Sequence, residues 1–411
     1  PYTTLFRSVS MTDEVAHLVL EDNRLQTLAL SFMENDGPVA LPSYVRVIEI
    51  LEASGRLDRA VEGLAPNDDL LRRAQDGRGL TRPELAVLLA TSKLALQDAV
   101  EATGLGHSEE LRGDLHAAFP GAMQAKFATA IDEHRLRGEI VATKVANRIV
   151  NRLGIIHPFA LAEEEGCSLG DLASAFVIAE RLFDVRRLWD AMDATAMPEA
   201  ARLGLLGQIA RGMRAQIADI LRNLPVGTMP DAGVKALEKG VGALAEKVKA
   251  LLPEEAARRV AGIRDQLAAQ GAPAEIAERV LGLVELDGAV GLALLSGKLG
   301  VDEIAVTKAF TRLGEELGID WVQSAASRAD PADPWDRLLM SGVARDMQQV
   351  RLDFLAHAKK DADAHVTAWL NRQAARITQF RALVARARAA AAPSTAMLAE
   401  LASQARGLLA R

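Results

Sequence analysis

Along residues 134–154, HRLRGEIVATKVANRIVNRLG, apolar side chains recur at helical spacing on two sides of one helix. Leu136, Ile140, Thr143, Asn147 and Val150 fall on one side, and Val141, Val145, Ile149 and Leu153 on nearly the opposite side. Arg137, Lys144 and Arg148 share a narrow strip between them, left for solvent or for acidic partners. A helix with two apolar faces is packed on both, which predicts a position in the middle of a helical layer. Gly154 stands where a C-terminal cap requires a residue at ease in the left-handed conformation. Asn147 is expected to be mostly buried and bonded to a neighbouring helix, since an unpartnered buried amide costs about 1–3 kcal/mol; the alternative is that Asn147 and Asn151 both face a wet groove.

The rest of the chain repeats the helical period. Ser10, with Asp13 and Glu14 in the first turn, predicts a helix with its apolar face at Val15, Leu18, Val19, Leu25, Leu28 and Phe32, broken by Asn35-Asp36-Gly37-Pro38. A second helix spans roughly 43–53. Thr81-Arg82-Pro83-Glu84 has the form of a capping box, opening a helix to about Glu101. Ser108 opens another that ends before Pro120, and Ser168 with Asp171 caps the next. Residues 198–223 read as a long helix, and Val226-Gly227-Thr228-Met229-Pro230 as a boundary between two helical regions. Asp330-Pro331-Ala332-Asp333-Pro334-Trp335 starts a long helix running towards Lys359 or beyond, and Pro393 separates the last one, which ends near Arg411. No run of four to eight residues alternates with period two, so the expected fold is all-α, with no substantial sheet.

Composition supports this picture. Of 411 residues, 49% are hydrophobic and only 4% aromatic, which favours helix over sheet. A net charge of −7 gives no global field for nucleic acid or acidic membranes. The single cysteine, Cys167, excludes an intrachain disulfide and fits a reducing compartment, so a cytoplasmic location is expected. No apolar run is long enough to span a bilayer. Residues 1–8, PYTTLFRS, read as a translated sequencing adaptor rather than as part of the fold. The chain is accordingly expected to be a fragment.

Candidate chemistry is sparse. Gly240-Val241-Gly242-Ala243-Leu244-Ala245 matches a dinucleotide fingerprint in letters, but the preceding residues look helical where a strand is needed. Ser296-Gly297-Lys298 lacks the upstream glycine of a phosphate loop. His17, His107, His116, His134, His157, His357 and His365 show no metal-hydrolase spacing. Cys167, between Gly166 and Ser168, reads as a buried or half-buried thiol, with a nucleophile as the alternative, and Glu163-Glu164-Glu165 as a solvated acidic patch facing the arginines of the 134–154 helix. Arg372, Arg376, Arg381, Arg386 and Arg388 read as a solvated basic face, with phosphate contact as the alternative. No catalytic, cofactor-binding or metal residue is assigned.

Several phrases occur in order: MTDEVAHLVLEDN with LQTLALS at 11–31, GLTRPELAVLLATSKLAL at 79–96, and the 134–154 helix. AFTRLGEELGIDWV at 309–322 and PWDRLLMSGVARDMQQVR at 334–351 follow. Together they resemble the C-terminal portion of the large bacterial NAD-specific glutamate dehydrogenases, most weakly between 226 and 286. Arg24 stands where the resemblance leads one to expect an aromatic, and Gly138 where it leads one to expect arginine. The resemblance implies an enzyme that oxidatively deaminates L-glutamate to 2-oxoglutarate and ammonia with NAD. It places the substrate lysines, the catalytic aspartate and the nucleotide-binding sheet upstream of Val9. Residues 9–36 would then be the last helix of the catalytic region, 37–225 a first helical region and 226–411 a second. Such a fragment is expected to bind no NAD and to be inactive alone, its partner being its own upstream catalytic domain within a homo-oligomer. No nucleic acid or membrane partner is implied. The alternative is a freestanding helical adaptor or scaffold.

Overall fold

A computed structural model describes residues 11–329, 331, 333–358, 361–390 and 392–410. Helices follow one another from Thr12 to Leu409, with no strand among the described residues. Residues 1–8, Ser10 as a cap, and Arg411 as a terminus lie outside the described residues. Contacts group the chain into two units: Pro1–Arg181 with Arg202–Val234, and Leu182–Ala201 with Lys235–Arg411. The chain therefore leaves the first unit, returns to it, and leaves again.

The first unit is built on the helix Arg137–Leu153, which packs against Arg82–Thr103, Thr12–Asn35 and Ile156–Glu165. Its packing differs from the two-faced expectation. Val141, Ala142, Val145, Ala146, Ile149, Val150 and Leu153 are buried in one broad stripe, whereas Leu136 is 54% exposed and Thr143 lies in solvent. The alanines are the reason: too small to read as core in a pattern, they let the neighbouring helices approach and widen one face. Only the C-terminal end, from Ile149 through Ile155, is enclosed all round. Asn147 is consequently half-buried rather than mostly buried, and the enclosed amide is Asn151, one turn on.

Local signals hold well. Gly154 closes the helix at φ +73°, with Phe32 only 3.4 Å from where a Cβ would stand, so both conformation and space call for glycine. Glu84 accepts the backbone N–H of Thr81 at 2.7 Å and is gripped by Arg73 at 2.9 Å. The Ser108 segment breaks into two short pieces, Glu109–Leu111 and Arg112–His116, rather than one helix. Arg24 pairs with Glu21 on the surface, while Gly138 Cα lies 2.6 Å from where a Cβ on Gly106 would stand. Neither substitution leaves a visible defect in the packing.

The second unit is built on the helix Pro334–Leu355, capped by the Asp333 carboxylate and packed against Ile319–Arg328, Glu303–Leu317 and Thr395–Leu409. Its core joins Leu313, Leu317, Val322, Met340, Val343, Met347, Trp369 and Leu401. Ala274–Glu285 and Ala289–Leu299 meet here at a bend of 52°. No single helix among the described residues is long and apolar enough to cross a membrane.

Candidate functional site

In the first unit, Arg148 projects from the central helix into a buried cluster. Its guanidinium donates to Asp114 Oδ1 at 2.6 Å, lies 2.6 Å from Glu180 Oε1 and covers the Phe176 ring at 5.9 Å. The side chains are 15%, 7% and 2% exposed for Arg148, Asp114 and Glu180, so the basic strip is not a solvent face at this position. Charges so enclosed are held by their mutual attraction and lock the helices that carry them.

Glu164 and Glu165 are not a solvated patch, whereas Glu163 stays exposed, and the partners of all three are not the central-helix arginines. Each takes a different arginine: Arg46 with Glu163, Arg214 with Glu164, and Arg222 with Glu165. Successive residues of a helix point about 100° apart. Three consecutive acids therefore reach outward in three directions, tying Leu41–Ala53 and two turns of Glu199–Asn223 to one helix end. Nearby, burial together with Arg214 and Arg211 keeps His157 neutral down to about pH 3. Burial raises the Asp36 carboxyl to about 6, although Tyr44 donates to it at 2.9 Å. Cys167 is half-buried; burial and the charges of Asp171 and Glu165 push its thiol up to about 11, which leaves it a poor nucleophile near neutral pH.

In the second unit, a cavity of about 110 Å³ opens beside the central helix. Leu244, Val248, Leu251, Leu286, Leu292 and Phe310 form its apolar wall. Its polar and charged lining comes from Asp320, Gln323, Gln348 and Arg351 and from Glu255, Arg259, Glu285 and Asp287. Arg351, 2% exposed, donates to Asp320 Oδ1 at 2.5 Å, to Gln323 and to the Met347 carbonyl at 2.8 Å. Its guanidinium also lies 4.0 Å from the centre of the Phe310 ring. Gly314 makes room for this pair, since a Cβ there would stand 2.4 Å from Asp320 Oδ1 and 2.6 Å from Arg351 Nη1. A small chamber with an apolar wall and a few charged groups can hold a small ligand.

The remaining sequence candidates fall elsewhere. Gly240 and Gly242 lie inside the helix Pro230–Ala245, and a Cβ on Gly240 would stand 2.7 Å from Ala293 Cβ, so the glycine serves helix packing. Ser296 lies within Ala289–Leu299 and donates to the Val301 carbonyl at 2.5 Å. Among the described residues no three of His, Cys, Asp and Glu are placed to hold a metal ion. In the basic C-terminal stretch Arg381 and Arg388 approach Glu316 and Glu255, and Phe380 is buried, so no exposed aromatic accompanies the charges. Pattern reading missed Arg351, Asp320 and Glu285. A signal for Arg351 was present: it continues the buried stripe of Met340, Val343 and Met347 at helical spacing.

Comparison with known proteins adds the following. The family described as "Glutamate dehydrogenase, C-terminal" matches residues 77–406. An NAD-specific glutamate dehydrogenase of Pseudomonas aeruginosa is 30% identical over 95% of this chain and 25% of its own length. Those of Halomonas elongata and Mycobacterium tuberculosis are each 28% identical, over 88% and 97% of this chain and 23% and 25% of their own lengths. The chain thus spans about a quarter of the length of the curated relatives it matches.

Proposed function

Because the chain belongs to the glutamate dehydrogenase C-terminal family, we propose that it is the helical C-terminal region of an NAD-specific glutamate dehydrogenase. In this reading the whole protein converts L-glutamate and NAD to 2-oxoglutarate, ammonia and NADH. This region is noncatalytic: it braces the catalytic portion that precedes it and takes part in subunit assembly. The carrying observation is the match of residues 77–406 to the glutamate dehydrogenase C-terminal family, beside 88–97% of the chain aligned with three NAD-specific relatives.

The first helix supports the bracing role. Thr12–Asn35 buries Ala29, Phe32 and Met33 near its C-terminal end. Towards its start Val15, Val19 and Leu20 are 46%, 55% and 67% exposed. Val15 and Val19 stand one turn apart, and in this proposal the upstream catalytic portion covers them. Two measurements test it. Calorimetry of the isolated 411-residue chain should show no NAD binding, and the chain should reduce no NAD with glutamate; micromolar stoichiometric binding would overturn the noncatalytic reading. In the full-length enzyme, Val19→Glu with Leu20→Glu should lower the temperature at which activity is lost. An unchanged inactivation temperature would remove the bracing role.

A further inference from the structure

Glu285 ends the helix Ala274–Glu285 at the elbow where the chain turns by 52° into Ala289–Leu299. The turn requires Gly288 at φ +84°, with Gln348 Nε2 filling the space beside it at 3.2 Å. This geometry places Glu285 at the cavity wall. The residue is 5% exposed and has no hydrogen bond or ion pair among the described residues. Burial raises its carboxyl above the usual range, with Lys249 and Arg264 pulling the other way. Both of those cations are already bonded to Glu278, at 3.0 and 2.6 Å.

The other charges around the cavity each have a partner, although Arg259 Nε and Asp320 Oδ2 make no hydrogen bond. Arg351 is sealed by Asp320, Gln323, the Met347 carbonyl and the Phe310 ring. Glu255 is shared among Arg258, Arg328 and Arg388, and Arg259 lies 3.8 Å from Asp287. Of the carboxylates that line the chamber, Glu285 is the one with no bonded cation of its own, the nearby Lys249 and Arg264 being committed to Glu278. A buried carboxylate in that position favours a cation that brings its own donors. A metal ion is not matched, since no group of three or more ligating side chains stands together among the described residues. The leucine wall instead suits an alkyl body. By proportion with the ~150 Å³ cavity that takes benzene, a chamber of about 110 Å³ holds roughly four or five heavy atoms.

We propose that this cavity binds a small aliphatic ammonium ligand, its charged head on Glu285 and its alkyl body against Leu244, Leu251, Leu292 and Phe310. The site lies wholly within the second unit and does not depend on the dehydrogenase reading.

The experiment is calorimetry and thermal melting of the 411-residue chain with n-butylammonium chloride. The controls are n-butanol, sodium butyrate and sodium chloride at matched ionic strength. The expected result is saturable one-to-one binding of n-butylammonium alone, with a raised melting temperature. Glu285→Gln keeps the shape and the fold but should weaken binding at least tenfold. Leu292→Trp should fill the chamber and abolish binding; if that variant does not fold, Glu285→Gln decides alone. Equal binding of n-butanol would make the chamber a dry apolar void and overturn the ammonium class. Binding retained within twofold in Glu285→Gln, or no saturable binding at all, would overturn the site.

Discussion

The two units solve the same problem in different ways. Each has a central helix, Arg137–Leu153 in one and Pro334–Leu355 in the other, and each central helix carries a buried arginine laid over a phenylalanine. Arg148 meets two carboxylates, Asp114 and Glu180. Arg351 meets one carboxylate, one amide and one backbone carbonyl, with a cavity beside it. An arginine between two acids has its charge more than balanced. An arginine with one acid needs neutral acceptors to satisfy the rest of its fork. The first arrangement makes a closed structural lock, and the second leaves a chamber at its side. Buried charge alone therefore does not distinguish a bracing element from a candidate binding site; the space around it does.

The largest effect should come from removing these arginines. Arg148→Leu leaves two buried carboxylates near each other and should cost about 3–5 kcal/mol. Arg351→Leu leaves one, which can take a proton or water from the adjoining cavity, so its loss should lie at the low end of that range, about 3 kcal/mol. Denaturant unfolding, with amide exchange to locate the loosened helices, measures both. A larger loss at Arg351 than at Arg148 would break the comparison.

A smaller effect concerns pH. Burial raises the folded-state pKa of Asp36, in the first unit, from 3.8 to about 6. Between those values the folded chain holds a proton that the unfolded chain releases. Stability from this group is therefore complete below about pH 4 and is lost as pH rises through 6. The loss is roughly 1–3 kcal/mol. Asp36→Asn should flatten stability over that window, read from melting curves between pH 4 and 7. An unchanged slope would mean that Asp36 ionises freely in the folded state.

The smallest effect compares amides on the two central helices. Asn147 is half-buried, and Asn147→Ala should change stability by less than about 0.5 kcal/mol. Gln348, 8% exposed and packed against Gly288, should cost about 1–2 kcal/mol on truncation to alanine. Equal costs would show that burial does not separate the two positions.

By itself the sequence determined the helical class, several helix ends and the family. Caps at Thr81, Ser168 and Gly154, and the missing period-two runs, depend on residues within a turn of one another, so pattern alone reveals them. Tertiary structure decided what the charges do. Glu163 meets Arg46 across 117 positions, Glu165 meets Arg222 across 57, and Arg148 meets Asp114 across 34. A run of three glutamates reads as a solvated face until distant helices are folded against it. The grouping of Leu182–Ala201 with the second unit was equally invisible, because no turn signal records which core a helix returns to. The chamber at Glu285 belongs to the same class of fact. It exists because a bend at Gly288 brings a helix end to Arg351 and Phe310, and empty space between helices has no letter in the sequence.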